Sequence, residues 1–217
     1  MHISVFELFK IGIGPSSSHT VGPMNAARRF ATQLDADGLL PRVTEVRVEL
    51  FGSLGFTGKG HGSDIAVLLG LEGEDPRTVP IDAVATRVAH IRQTLKLQLL
   101  GKHEVRCAPD SIVFHRREKL PLHSNGMRFT ALEGASALAQ RIYYSVGGGF
   151  VVNHEGVPEG ATAAAVKVPY PFETGDDLLA VCNAHGLCIS TVMLENEKAQ
   201  RTESEVRAGL AEISEAM

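Results

Sequence analysis

Hydroxyl, imidazole and amide side chains are concentrated in four glycine-containing stretches of the sequence. These stretches are GPSSSHT at 14–20, TGKGHGSD at 57–64, KLPLHSNGMRF at 119–129 and YYSVGGGF at 143–150. The first three each contain one histidine, namely His19, His61 and His123. Because the proton of histidine exchanges near neutral pH, we predict acid–base chemistry in these polar bends.

The same stretches are suited to holding a small anionic molecule. Ser16, Ser17 and Ser18 precede the first long helix, where backbone N–H groups and the helix dipole favour an anion. The other polar stretches supply further hydrogen-bond donors, namely Lys59, Asn125 and Arg128. A carboxylate and a phosphate satisfy these groups equally well, and each stretch taken singly is also explained by helix caps and turns. Neither TGKGHGSD nor VGGGF has the spacing of a nucleotide-binding loop.

Composition places the chain among ordinary globular proteins. Of its 217 residues 44% are hydrophobic and 21% charged, and the net charge is −4 with scattered basic residues, which argues against a nucleic-acid partner. No long apolar run or basic leader predicts a membrane span or a secretory signal, so we expect a cytoplasmic protein. Three cysteines without a CxxC pair (Cys107, Cys182, Cys188) predict buried thiols and no disulfide framework.

Local patterns predict helices and one clear strand in the first hundred residues. Residues 18–38 are predicted to form a helix with Ser18 as N-cap and Gly38 at its end. The alternation in RVTEVRVELFGS predicts a strand that ends in the glycine-rich turn GSLGFTGKGHGSD. A short helix, SDIAVLLGL, capped by Ser63 or Asp64, and a helix over 81–99 follow.

From residue 103 onward the pattern changes to short strands and then to helices. Four runs separated by turn residues predict strands: HEVRCA, DSIVFHRRE, GMRFTALEG and QRIYYSVGGGFVVN, although SALAQRIYYSV also fits a helix in part. Residues 153–171 are predicted to form a linker or an extended crossing segment, and three helical segments follow, starting at 175, 190 and 202. The fold class predicted is α+β, a mixed or antiparallel sheet with packed helices and a helical C-terminal tail.

Five segments in this order closely resemble the iron–sulfur-dependent L-serine dehydratases, also called L-serine ammonia-lyases. These segments are SVFELFKIGIGPSSSHTVGPM, GSLGFTGKGHGSD, HSNGMRF, YYSVGGGF and LENE. The resemblance implies that residues 1–170 are the family's β domain, which binds substrate or regulates. It also implies that residues 171–217 are the helical start of a truncated catalytic α domain.

The family's reaction is the elimination of water from L-serine, which yields pyruvate and ammonia in serine catabolism and gluconeogenesis. The resemblance implies a 4Fe–4S cluster whose cysteine ligands lie in the later part of the α domain, beyond residue 217. Cys107, Cys182 and Cys188 therefore do not inherit the ligand role, and the isolated chain is expected to be inactive. The implied partners are L-serine, a catalytic α domain or subunit, and further copies in a homo-oligomer.

The resemblance and the chemistry of the bends together suggest a role for each candidate residue. His61 is the expected base that takes the α proton of serine. The carboxylate is expected on Ser16, Ser17, Ser18, His19 and Thr20, with further hydrogen bonds from His123, Ser124 and Asn125. Lys59 and Arg128 either bind substrate or only tie the loops together.

Two other functions fit the same residues. The chain is also similar to a serine-sensing regulatory module, which binds its effector and catalyses nothing. Alternatively, the domain chiefly packs against the α domain and supports oligomerisation, and the polar bends only cap helices.

Overall fold

The computed structural model describes residues 4–157 and 166–217, which form two compact units. The larger unit contains described residues 12–157, and the smaller combines 4–11 with 166–217. Residues 158–165 of the linker predicted at 153–171 lie outside the described residues, and the domain boundary proposed at 170 stays a prediction.

A seven-stranded sheet forms the centre of the larger unit, as far as the described residues show. Its strands are β1 Glu45–Phe51, β2 Lys96–Leu99, β3 His103–Arg106, β4 Ile112–His115, β5 Gly126–Glu133, β6 Ser136–Gly147 and β7 Phe150–Asn153. The order is β2-β3-β1-β5-β6-β7, and β4 pairs with β1 beside β3. Strand β1 is parallel to β3 and β4 and antiparallel to β5, so the predicted mixed sheet is confirmed. The stretch SALAQRIYYSV is strand throughout.

Four helices belong to the same unit: α2 Val21–Ala36, α3 Gly52–His61, α4 Ser63–Leu71 and α5 Ile81–Thr94. The helix predicted after the serine cluster and the strand RVTEVRVELF are both confirmed, as α2 and β1. Their apolar sides meet in the core, where Phe30 and Leu34 of α2 and Val48 and Leu50 of β1 are almost completely buried. The ring of Phe30 also lies against that of Phe129 in β5, with centroids 5.4 Å apart, so α2 packs on the sheet.

Helix α3 corrects the prediction of a glycine-rich turn after β1. The glycines allow close packing in a helix here, because a Cβ on Gly55 would collide with the backbone oxygens of His115 and Leu50. Tertiary packing thus overrides the low helix propensity of glycine. Only Gly62, with a φ of 76°, forms the turn, and it ends α3. Gly62 is also the N-cap of α4, so the prediction of Ser63 or Asp64 as that cap is wrong.

The helix predicted over 81–99 is wrong in its last turn. Helix α5 ends at Thr94, Leu95 adopts a φ of 57°, and Lys96–Leu99 form β2. Leu97 and Leu99 are buried and alternate with exposed neighbours, which is the pattern of a strand rather than a helix.

The smaller unit is helical: α1 Val5–Leu8, α6 Gly175–His185, α7 Ile189–Glu197 and α8 Glu203–Ala216. The three predicted C-terminal helices are confirmed, including the reciprocal capping of α8 by Thr202 and Glu205. Helix α7 begins one residue before the predicted cap Ser190, with Cys188 as N-cap.

Buried polar side chains join α1 to α7 within this unit. The carboxylate of Glu197 accepts hydrogen bonds from Ser4 Oγ at 2.8 Å and from the Val5 amide at 2.7 Å. The amide of Asn196 donates to the Tyr170 carbonyl at 2.8 Å and accepts from the Tyr170 N–H at 2.9 Å. The LENE segment therefore holds the unit together.

Among the described helices, none taken alone has both the length and the apolar character needed to cross a membrane. Helices α6 and α7 reach that length and composition only as a pair bent by 95°.

Candidate active site

The serine-rich segment before α2 folds into hydrogen-bonded turns. The N-cap of α2 is Thr20, which makes no side-chain capping bond, so the prediction of Ser18 as N-cap is wrong. Ser18 Oγ instead lies 2.9 Å from Nδ1 of His19 and 3.2 Å from Ser16 Oγ. The hydroxyl of Thr20 is buried and donates to the Ser16 carbonyl at 2.6 Å.

The start of α2 offers fewer free N–H groups than the sequence predicts. The Gly22 amide donates to the Ser17 carbonyl at 2.9 Å, and Pro23 has no N–H. Of the first three positions of the helix, only the Val21 amide is left for an external anion. Side chains, more than the helix end, must therefore orient any carboxylate here.

His19 is the centre of the polar cluster. Its Nε2 lies 3.1 Å from Ser53 Oγ and 3.1 Å from Thr57 Oγ1. Because the single hydroxyl proton of Thr57 is donated to the Ser53 carbonyl, we assign Nε2–H of His19 as a donor to Thr57. Nδ1 of His19 then accepts from Ser18.

Two histidine rings meet in this cluster. The centroids of His19 and His61 lie 4.8 Å apart at an interplanar angle of 38°. Burial lowers the pKa of His19 from its ordinary value, and the neighbouring His61 lowers it further. Near neutral pH His19 is therefore a neutral hydrogen-bonding group.

His61 has the geometry of a proton acceptor. It lies in the last turn of α3, and its Nδ1 is 2.9 Å from the Thr57 carbonyl. A carbonyl only accepts, so Nδ1 carries the proton and Nε2 carries the lone pair. Within the described part of the chain, Nε2 has no hydrogen-bond partner, and the side chain is half-buried.

Sequence reasoning missed three hydroxyl groups of this cluster. Two of them belong to Ser53 and Thr57, which share one face of α3 with His61 because the three residues are spaced by four. That spacing is visible in the sequence once residues 52–61 are recognised as a helix. The third hydroxyl, Ser63 Oγ, donates to the His19 carbonyl at 2.5 Å and was considered only as a cap.

The loop before β5 is joined to the start of α3. The Ser124 carbonyl accepts from the Ser53 amide at 2.8 Å, and His123 Nδ1 accepts from the Asn125 amide at 3.1 Å. The His123–Asn125 segment is thus brought to the helix that carries His61.

Two buried polar atoms near the start of α2 have no partner among the described residues, Asn125 Oδ1 and Ser145 Oγ. Their backbones are paired, since the Ser145 amide donates to the Asn125 carbonyl at 3.0 Å. A Cβ on Gly22 would collide with Ser145 Oγ, which places this hydroxyl against α2. Unsatisfied buried polar atoms are costly, so they indicate a place for a ligand or water. Ser145 was not among the predicted site residues.

The structure does not bring Lys59 and Arg128 into the cluster. Lys59 lines a separate cavity together with Asp64 and Arg92. Arg128 pairs with Glu49 at 3.2 Å and lies 5.0 Å above the ring of Phe51.

The described residues do not fit an iron–sulfur cluster. No three of their His, Cys, Asp or Glu side chains are grouped as metal ligands. Burial raises the pKa of Cys107 to about 11, so its thiol stays protonated, whereas ligation requires a thiolate. Hydrogen bonds from Ser190 and Thr191 lower the pKa of the exposed Cys188 to about 7.

The chain is similar to serine dehydratases over nearly its whole length. Residues 4–156 match the family described as serine dehydratase beta chain. The L-serine dehydratase of Streptomyces coelicolor is 55% identical over 219 residues, which cover 98% of this chain and 48% of that protein. L-serine dehydratase 2 of Escherichia coli is 45% identical over 216 residues, which cover 99% of this chain and 47% of that protein.

A more distant relative matches over the same region. The L-serine dehydratase of Helicobacter pylori is 35% identical over 201 residues, which cover 90% of this chain and 43% of that protein. The chain spans about half the length of the curated relatives it matches. By the extent and consistency of these matches, the chain belongs to the serine dehydratase beta chain family.

Proposed function

We propose that this chain supplies the substrate-binding and proton-abstracting part of an L-serine dehydratase. The reaction is the conversion of L-serine to pyruvate and ammonia, with loss of water from the substrate. Family membership supports the reaction class. The observation that carries the assignment is Nε2 of His61, which has no partner among the described residues and lies in a hydroxyl-lined cluster.

His61 is proposed to take the α proton of serine at Nε2. The Thr57 carbonyl holds Nδ1–H in place and interacts favourably with the imidazolium that forms. The neutral His19 beside it adds no positive charge that would oppose this protonation. Loss of the α proton and the β hydroxyl gives aminoacrylate, which tautomerises to an imine and hydrolyses to pyruvate and ammonia.

The substrate is proposed to lie between the serine segment and the loop at 123–125. Ser16, Ser17, Ser18 and His19 would face its carboxylate, and His123 and Ser124 would add hydrogen bonds. Asn125 Oδ1 is an acceptor suited to the substrate ammonium, and Ser145 Oγ–H is a donor suited to the carboxylate. Thr20 contributes through the Ser16 carbonyl, since its own hydroxyl proton is engaged there.

A 4Fe–4S cluster remains part of the proposal, with its ligands outside this chain. The described residues supply no ligand set for it, and the steps above concern only this chain's own groups. A catalytic α domain or subunit, a homo-oligomeric assembly and a cytoplasmic location belong to the same proposal.

Substitution of the base tests the assignment. In the complete enzyme, His61→Asn should lower kcat by about 10²- to 10⁴-fold, the usual contribution of a general base. His90→Asn is the matched control, because His90 is exposed on α5. Steady-state pyruvate formation measures both. A kcat for His61→Asn within a few fold of the control would remove His61 as the base.

The second function, serine binding without catalysis, is favoured for the isolated chain because it contains no cluster ligand set among its described residues. Calorimetric titration of the chain with L-serine, with D-serine as control, should show stereoselective heat and no pyruvate. Turnover by the isolated chain would contradict the proposed division of labour.

A further inference from the structure

A cavity of about 410 Å³ lies in the larger unit, away from the contacts of the His19–His61 cluster. Its walls come from α3, α4, α5, β4 and residues 107–109. This volume is within the range of pockets that bind small organic molecules. Lys59, a residue of α3, is at this cavity, whereas Thr57 and His61 of the same helix contact the cluster.

Most of the cavity wall is apolar. Leu68 and Ile91 are buried, and Ile112 and Phe114 are half-buried beside them. The thiol of Cys107 belongs to the same wall, and burial raises its pKa to about 11. It is therefore a neutral group at physiological pH and adds no negative charge.

The charged residues of the cavity leave one positive charge uncompensated. Arg92 pairs with Asp64 at 2.9 Å. Within the described residues, the ammonium group of Lys59 makes no ion pair or hydrogen bond, and the side chain is exposed. An apolar wall with one free ammonium group at its edge is complementary to an apolar molecule that carries one negative charge.

We propose that this cavity binds a small monocarboxylate with an apolar body, whose carboxylate meets Lys59 and whose hydrocarbon part contacts Leu68, Ile91 and Phe114. The site is separate from the proposed serine site and does not depend on the dehydratase reaction. It also gives a role to Lys59, which lines this cavity and makes none of the described contacts of the His19–His61 cluster.

Hexanoate is a suitable probe, with 1-hexanol and hexylamine as matched controls of the same length. The whole 217-residue chain is titrated with each probe and followed by amide and methyl chemical shifts. Hexanoate should perturb Leu68, Ile91 and Ile112 and bind more tightly than either control. Equal affinity for hexanoate and hexanol, or shifts confined to other residues, would overturn the proposal.

Lys59→Gln tests the contact with the carboxylate. It should weaken hexanoate binding about two- to fivefold, the size expected for an exposed ion pair, and leave hexanol binding unchanged. Lys102→Gln is the control, because Lys102 is an exposed lysine paired with Asp35 at 2.5 Å. An equal effect of the two substitutions would contradict the assignment.

A measurement on the unsubstituted chain gives an independent test. Alkylation of each cysteine is followed by peptide mass spectrometry with and without hexanoate. Ligand in the cavity should slow modification of Cys107 and leave that of Cys188 unchanged, since Cys188 is exposed and outside the cavity. Unchanged modification of Cys107 at a hexanoate concentration that saturates the shifts would refute this location.

Discussion

The buried side chains of Asn196 and Glu197 in the smaller unit and the candidate site of the larger unit differ in how completely their polar atoms are hydrogen-bonded. In the first, Glu197 and Asn196 are buried and bind the backbone or side chains of Ser4, Val5 and Tyr170. Each of the two side chains is engaged through both of its polar atoms. This arrangement suits a structural role.

The histidine cluster leaves polar atoms without partners among the described residues. They are His61 Nε2, Asn125 Oδ1 and Ser145 Oγ. Because unpaired buried atoms such as Asn125 Oδ1 and Ser145 Oγ destabilise a fold, their presence is better explained by a ligand than by structure alone. The comparison shows that hydrogen-bond pairing, more than polar composition, separates a structural motif from a candidate site.

The largest effect on stability is expected from Glu197→Gln. This substitution removes a buried carboxylate that accepts from Ser4, Val5 and, at 3.2 Å, Arg201. We expect a loss of about 2–4 kcal/mol in the free energy of unfolding, measured by urea denaturation. Glu195→Gln is the control and should cost less than about 1 kcal/mol, because its pair with Lys198 is partly exposed. Equal losses would remove the structural role of Glu197.

A loss of stability of intermediate size is expected from substitution of Asn196 but not from substitution of Ser145. Asn196→Ala leaves the Tyr170 N–H and carbonyl without partners and should cost about 2 kcal/mol of unfolding free energy. Ser145→Ala removes a buried hydroxyl that has no partner among the described residues and should change stability by less than about 0.5 kcal/mol. In the complete enzyme, Ser145→Ala should nevertheless raise the KM for serine. A large loss of stability in Ser145→Ala would place Ser145 with the structural cluster.

The smallest effect is a pH dependence caused by His19. Its pKa is lowered in the folded chain, so the unfolded chain binds more protons as the pH falls below the ordinary histidine value of about 6.5. The contribution of His19 to stability is therefore present above that pH and is lost as the pH falls through its folded pKa. His19→Gln should reduce this acid-side loss, measured by urea denaturation across the same range, and the surface variant His90→Gln should not. Identical pH profiles for both variants would show that His19 is not responsible.

Local sequence patterns correctly predicted the helices and strands whose local propensity matches the structure that their tertiary contacts require. Strand β1 follows its alternation, and α8 follows the capping pair Thr202 and Glu205. Helix α3 could not be predicted in this way, because its glycines have low helix propensity and their value lies in contacts with β1 and β4. Strand β2 was missed for a similar reason, since it depends on pairing with β3.

The candidate site was predicted in part. His19 and His61 were found from residue type and glycine-rich context, and the structure brings their rings together. Ser53 and Thr57 required the helical register of α3, and Ser145 required the pairing of β6 with the loop that carries Asn125. Lys59 shows the opposite case: it was predicted as a site residue with its neighbour His61, but residues two positions apart on a helix do not share a face, and Lys59 lines the separate cavity.

The pairing of Ser4 with Glu197 has a consequence for how the chain is made. The first described residues can gain their buried partner only after residue 197 has been synthesised and has left the ribosome. The larger unit, continuous from residue 12, contains all of its own contacts before that point and can fold while synthesis continues. The N-terminal segment must therefore stay unpaired until then, and we expect the Ser4–Glu197 pair to form after the larger unit has folded.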